Sequence, residues 1–128
     1  MKRILEICCT SLEDAKIASD NGADRIELCE DLEVGGVTPN LKLLESVLNN
    51  IALPVFVLVR PRGGHFFYNY DELDIMLASI NDVKNMGAKG IVSGALNSDK
   101  TIDSEATLKL INFSEKLAFI FHGAFDEC

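Results

Sequence analysis

Two acid–x–cysteine triplets, Glu6-Ile7-Cys8 and Glu27-Leu28-Cys29, and one loop, Arg60-Pro61-Arg62-Gly63-Gly64, hold most of the side chains able to do chemistry in this chain. Paired carboxylates act as general acid and base when their surroundings separate their pKa values. Thiols are soft metal ligands, so Cys8 and Cys29 are the metal candidates. Adjacent Cys8 and Cys9 face opposite sides of a regular strand and cannot share one ion. Arg60 and Arg62 are suited to a carboxylate or phosphate, which a guanidinium grips with two parallel hydrogen bonds. His122 is able to pass a proton near neutral pH. The blander alternatives are that the cysteines fill core space and that Glu27 neutralises Arg60 from the adjacent strand.

The elements that must position these groups follow from hydrophobic patterning. Ile4–Cys9 is a short apolar run, and Thr10-Ser11 offers a cap for a helix over Leu12–Asn21, closed by Gly22. Arg25–Cys29 is a second strand. Thr38-Pro39 fits the start of a helix carrying Leu41, Leu44, Val47 and Leu48 on one face. Val55–Val59 is apolar throughout, as a strand buried on both faces of a parallel sheet must be. Arg60 stands at its carboxyl end, Pro61 stops the ladder, and Gly63-Gly64 permits a tight turn. The spacing then predicts a helix over Asp71–Met86 with Asp71 as its cap, a strand over Gly90–Ser93, a helix over Asp103–Asn112 and a strand over Ala118–His122.

Unbroken alternation of strand and helix is the mark of a parallel α/β fold, and no linker divides the chain, so residues 1–128 form one domain. Asn21-Gly22-Ala23-Asp24-Arg25-Ile26 echoes Met86-Gly87-Ala88-Lys89-Gly90-Ile91, as a repeated βα unit would. Side chains alternate along a strand, so Glu6 and Cys8 share one face, as do Glu27 and Cys29, while Ile7, Ile26 and Leu28 point to the helices. Arg60 shares a face with Phe56 and Leu58. In this reading Glu6, Glu27, Arg60, Arg62 and His122 collect at the carboxyl ends of the strands.

Composition narrows the partners. The chain is 48% hydrophobic with a net charge of −8, which argues against nucleic acid or an anionic membrane surface. No apolar stretch reaches the roughly 18 residues a membrane helix requires. Four cysteines without a secretory signal point to a reducing compartment, with the cytoplasm as the expected location. Gly35-Gly36 and Gly63-Gly64 lack the spacing of a dinucleotide or P-loop fingerprint. Phe66, Phe67 and Tyr68 read as a packing cluster.

Taken in order, Glu6-Ile-Cys-Cys9, Asn21-Gly-Ala-Asp-Arg-Ile-Glu-Leu-Cys29, Gly35-Gly-Val-Thr-Pro39, Arg60-Pro-Arg-Gly-Gly64, Phe66 with Tyr68, Phe121-His122 and Ala124-Phe-Asp126 resemble the CutC copper-homeostasis family. The resemblance runs along essentially the whole chain. It implies an α/β TIM-type (β/α)8 barrel, of which this chain holds about the first five strands and four helices. It also implies copper homeostasis, and the soft thiols of Cys8 and Cys29, paired across neighbouring strands, are the expected Cu(I) ligands. The alternative is a barrel enzyme acting on a small phosphorylated or carboxylated metabolite. Glu6, Glu27 and His122 are then the acid–base candidates, and Arg60 and Arg62 the anion holders. Two positions depart from the family pattern. His65 stands where an aspartate usually follows the glycines, and Gly123 where an arginine usually follows the histidine. A partial barrel leaves sheet edges open at strands one and five, so self-association into a homo-oligomer is expected.

Overall fold

The structure is a computed structural model, which describes residues 3–121. Five strands form one parallel sheet in the order of the chain: β1 (Glu6–Cys9), β2 (Arg25–Leu28), β3 (Val55–Leu58), β4 (Gly90–Ser93) and β5 (Ala118–Phe121). Four helices link them: α1 (Leu12–Asp20), α2 (Leu41–Asn50), α3 (Tyr70–Met86) and α4 (Ser104–Ser114). A one-turn 3-10 helix over Leu32–Val34 sits in the loop after β2. Each strand spans four residues: β4 has the expected bounds Gly90–Ser93, while β1, β2 and β3 are shorter than the runs that signal them. The expected strand end at His122 lies outside the described residues.

Helix starts are set by side-chain caps, and two of them differ from expectation. Ser11 caps α1, its Oγ accepting from the Asp14 N–H at 3.0 Å. Asn40, not Thr38-Pro39, caps α2 by accepting from the Leu43 N–H at 2.8 Å. Thr38 is unavailable, since its hydroxyl accepts from the Arg60 N–H and donates to the Arg60 carbonyl, tying α2's approach to β3. Asn69, not Asp71, caps α3 in a reciprocal capping box with Glu72. Asp103 caps α4.

Strand alternation divides the core in two. One cluster joins Ile26, Leu28, Val55, Val57, Val59 and Ile91 of the sheet to Leu44, Val47, Met76, Ile80, Val83 and Leu110 of the helices. The second lies on the opposite face and contains Cys29, Phe56, Leu58 and Val92, with Ile120 packed against it. Strands β3 and β4 are buried along their whole length, which is why their sequences show no polar alternation. Gly90 makes room for Phe56: a Cβ there would lie 2.6 Å from the ring. At β1 the outer side is uncovered, and Ile4, Leu5 and Ile17 are exposed beside it.

Candidate functional site

Register decides which inward residues meet. Cys8 pairs with Glu27, and Glu6 with Arg25. The echo Glu6-Ile-Cys8 and Glu27-Leu-Cys29 is therefore offset by two residues, as the stagger of neighbouring strands in a closing parallel sheet produces. Cys8 faces Glu27 directly, and Cys29 lies one inward position further along β2.

The Cys8 thiol donates to Glu27 Oε2 at 3.1 Å. Burial, then the hydrogen bond to Glu27 and the carboxylate's charge, push the Cys8 thiol up to about 12. Burial and the nearby Glu27 raise Cys29 to about 11. Burial also raises Glu27, against the hydrogen bond from Cys8 and the charge of Arg25. At neutral pH both thiols are thus protonated. Cys9 faces the other way, buried in the helix-side core with its thiol 3.6 Å from the Ile7 carbonyl. Among the described residues no group of three or more His, Cys, Asp or Glu gathers where it could hold a metal ion. What the sheet offers a metal is two soft thiols on one face with a carboxylate beside them. That donor set suits Cu(I) and is poor for harder ions.

Glu6 is not at the carboxyl end of the sheet. It opens β1, and its Oε2 lies 2.6 Å from Arg25 Nε across the strand starts. The Arg25 guanidinium in turn lies 4.7 Å above the centre of the Phe56 ring. Sequence reading overlooked Arg25, although its two-residue spacing from Glu27 puts it on the inward face. Glu6 and Glu27 therefore stand at different depths, each with its own partner, and Glu6 is far along the strands from Arg60.

The arginines after β3 are committed to the protein's own loops. Arg60 is 5% exposed and makes no ion pair with Glu27. Its Nη1 donates to the Val34 and Gly36 carbonyls at 2.8 and 2.9 Å, and its Nη2 to Gly64 at 2.8 Å. Phe66 covers the guanidinium at 4.6 Å. The pair fails because Glu27 stands midway along the sheet while Arg60 lies beyond its carboxyl edge. The loop after β2 reaches Arg60 first, packed so closely that a Cβ on Gly35 would lie 2.9 Å from Nη1. Arg62, which reads as unpartnered in the sequence, forms a two-point pair with Glu72 of α3 and donates to the His65 and Phe67 carbonyls. It also lies 5.0 Å above the Tyr68 ring. Glu72 thus serves both in the cap of α3 and as an arginine partner. His122 lies outside the described residues.

The fold and this inner face define a class: a parallel α/β sheet of partial TIM-barrel type, with a thiol–carboxylate layer inside and a carboxyl-end rim braced by arginines. Over residues 3–128 the chain matches the model of the CutC family. A CutC family protein of Salmonella paratyphi B is 46% identical over 125 residues, covering 98% of this chain and 50% of the relative. A human protein named copper homeostasis protein cutC homolog is 45% identical over 123 residues, covering 96% of this chain and 45% of its own length. The crystal structure of a putative copper homeostasis protein CutC from Streptococcus agalactiae superposes with a TM-score of 0.89 at 36% identity, covering 98% of this chain and 61% of that one. The chain belongs to the CutC family. It spans about half the length of the curated relatives it matches.

Proposed function

We propose that the protein carrying this chain serves copper homeostasis in the cytoplasm by taking up Cu(I) through the thiols of Cys8 and Cys29. The observation that carries the reading is the inner face of β1 and β2, where Cys8 bonds Glu27 and Cys29 lies one inward position further along the same strand as Glu27. The names of the human and streptococcal relatives support the choice of copper. Thiolates, not thiols, bind the ion, so Cu(I) has to displace the protons of both groups. Glu27 is placed to receive the Cys8 proton, since its Oε2 already accepts that hydrogen bond. Phe56, Leu58 and Val92 pack with Cys29 on the same face, while Cys8 is exposed and open to an incoming ion; the soft thiols favour Cu(I) over harder competitors.

Anaerobic Cu(I) titration of parent, Cys8→Ser and Cys29→Ser tests this. Loss of high-affinity uptake in each variant is the expected result, and variants that bind copper like the parent would overturn it.

The enzyme reading, with a small phosphorylated or carboxylated substrate, draws less support from the same geometry. Arg60 and Arg62 spend their donors on carbonyls and Glu72, and Glu6 stands at the opposite end of the strands from them.

A further inference from the structure

Cys8 and Cys29 face the same side of the sheet but differ in access. Cys8 is exposed, whereas Cys29 is 2% exposed. Part of what covers Cys29 is the turn after β2. A Cβ on Gly36 would lie 3.6 Å from both Cβ and Sγ of Cys29 and 2.9 Å from Leu58 Cδ2, so the Gly36 backbone packs over the thiol and leaves no room for a side chain. We infer that residues 31–36 form a hinged cover over Cys29, latched by Arg60, so that an incoming soft cation meets Cys8 first and Cys29 only once the cover lifts. The identity of the ion rests on the copper reading, and the cover does not.

The turn is built to move as a unit. The Val34 and Gly36 N–H groups both donate to the Asp31 carbonyl, at 3.1 and 3.0 Å, and the Gly35 N–H donates to the Leu32 carbonyl at 2.9 Å. Its base is spanned by a reciprocal bridge, Glu30 N–H to the Val37 carbonyl at 3.0 Å and Val37 N–H to the Glu30 carbonyl at 2.8 Å. Glu30 Oε1 is held in turn by the Asn40 N–H and side-chain amide, at 2.7 and 2.6 Å. Between this fixed base and the tip stand Asp31, Gly35 and Gly36, at φ 51°, 90° and 93°. Left-handed residues at both ends of the tip are placed to absorb a hinge rotation. The tip itself buries no residue, with Leu32 and Val34 53% and 47% exposed. A segment with so few buried apolar contacts opens at much lower cost than the core.

Arg60 holds the cover down. Its Nη1 donates to the Val34 and Gly36 carbonyls, both inside the cover, while its Nη2 holds Gly64 in the next loop. The Arg60 backbone is tied to Thr38, outside the cover, so the latch is anchored independently of what it fastens. Lifting the tip breaks the two Nη1 bonds and leaves the bridge at its base intact. Bonds from a buried guanidinium are among the strong ones, so the closed state dominates and opening is transient. Uptake is then ordered: capture by Cys8, followed by engagement of Cys29.

The test reads access to Cys29 without copper. The intact protein is labelled with iodoacetamide at a series of low urea concentrations, and modification of Cys29 and Cys9 is followed separately by mass spectrometry. Cys9 is fully buried in the helix-side core, so its labelling reports global unfolding and should rise steeply with urea. A lifted cover exposes little surface, so Cys29 should label faster than Cys9 and at a rate nearly flat in urea. Arg60→Lys, which keeps the charge and loses the fork, should raise that flat rate about tenfold. Gly36→Ala, whose Cβ would collide with Leu58, should raise it with Arg60 in place, and serves if Arg60→Lys does not fold. Cys29 labelling that tracks Cys9 in rate and urea dependence, or a flat rate that a folded variant leaves unchanged, would overturn the inference. Failure of the copper reading would show instead in the Cu(I) titration, since labelling uses no metal.

Discussion

Arg60 makes the sharpest test of how this fold is braced. Its guanidinium is buried and holds three carbonyls from two loops, while its backbone exchanges hydrogen bonds with Thr38. Replacing it with methionine keeps much of the apolar stem and removes every donor. Each hydrogen bond from a charged donor contributes about 1.5–3 kcal/mol, and an orphaned buried carbonyl costs about 1–3 kcal/mol. The Gly36 carbonyl is the one left without water, since the contact it makes is fully buried, while Val34 and Gly64 regain some solvent. These effects share two loops and do not add in full, so Arg60→Met should destabilise the protein by roughly 3–5 kcal/mol. Arg60→Lys keeps the charge but loses the planar fork, and should cost about half as much. Urea unfolding followed by circular dichroism reads both values, and amide exchange should show the lost protection confined to residues 30–38 and 60–64. A methionine variant within about 1 kcal/mol of the parent would refute the reasoning, because no brace of three charge-assisted bonds can be removed so cheaply. That result would return Arg60 to the role of a ligand-holding residue.

The remaining predictions concern the rim, the inner layer and the loop contact. Glu72 has its pKa lowered below the usual 4.5, chiefly by the hydrogen bond from Arg62. A depressed carboxylate adds stability that is present above its unfolded pKa and lost as pH falls through the folded one. Glu72→Gln should therefore flatten the acid limb of a stability–pH curve below about pH 4.5, and an unchanged limb would refute the pairing. Because Cys8 and Cys29 are raised to about 12 and 11, Cu(I) must displace two protons, and its apparent affinity should rise about tenfold per pH unit if Glu27 keeps one of them and about 100-fold if both leave to solvent. A pH-independent competition titration would contradict two-thiol binding. A Cβ on Gly63 would lie 2.7 Å from Val34 Cβ. Gly63→Ala should cost about 1–3 kcal/mol in urea unfolding, and Val34→Gly in the same chain, which removes the clashing Cβ, should relieve more of that added cost than Val34→Ala, which keeps it.

Element types and order were readable because periodicity is a local signal. The all-apolar run at Val55 and the 3.6-residue spacing of Met76, Ile80 and Val83 each announce their burial without help from the rest of the chain. The face of each inward residue was readable for the same reason, since alternation along a strand needs no partner. Cap identity was less so: Asn40 and Asn69 win over Thr38 and Asp71 because Thr38 is engaged next to β3 and Asn69, two residues before Asp71, forms the capping box with Glu72. Register was not readable at all. The two Glu-x-Cys triplets carry no mark of their offset, and inter-strand stagger puts Cys8 against Glu27 and Glu6 against Arg25. No single-strand pattern encodes that offset.

The arginine loop shows why an anion site is hard to place from composition. A strand that ends in two arginines looks like a ligand grip, yet an arginine that close to the sheet meets carbonyls from the neighbouring loop before it meets solvent. Arg60 answers the unpaired carbonyls of the loop after β2, and Arg62 fixes the start of α3 through Glu72. Arg60 also stacks on Phe66, and Arg62 reaches His65, so the two arginines fix the loop after β3 as well. An aspartate at position 65 would offer Arg62 a second acid. With histidine there, Arg62 keeps Glu72 as its carboxylate partner. His65→Asp should accordingly compete for Arg62 and shrink the contribution of Glu72 to the acid limb of a stability–pH curve, and an unchanged limb would mean that a charge at position 65 does not reach Arg62.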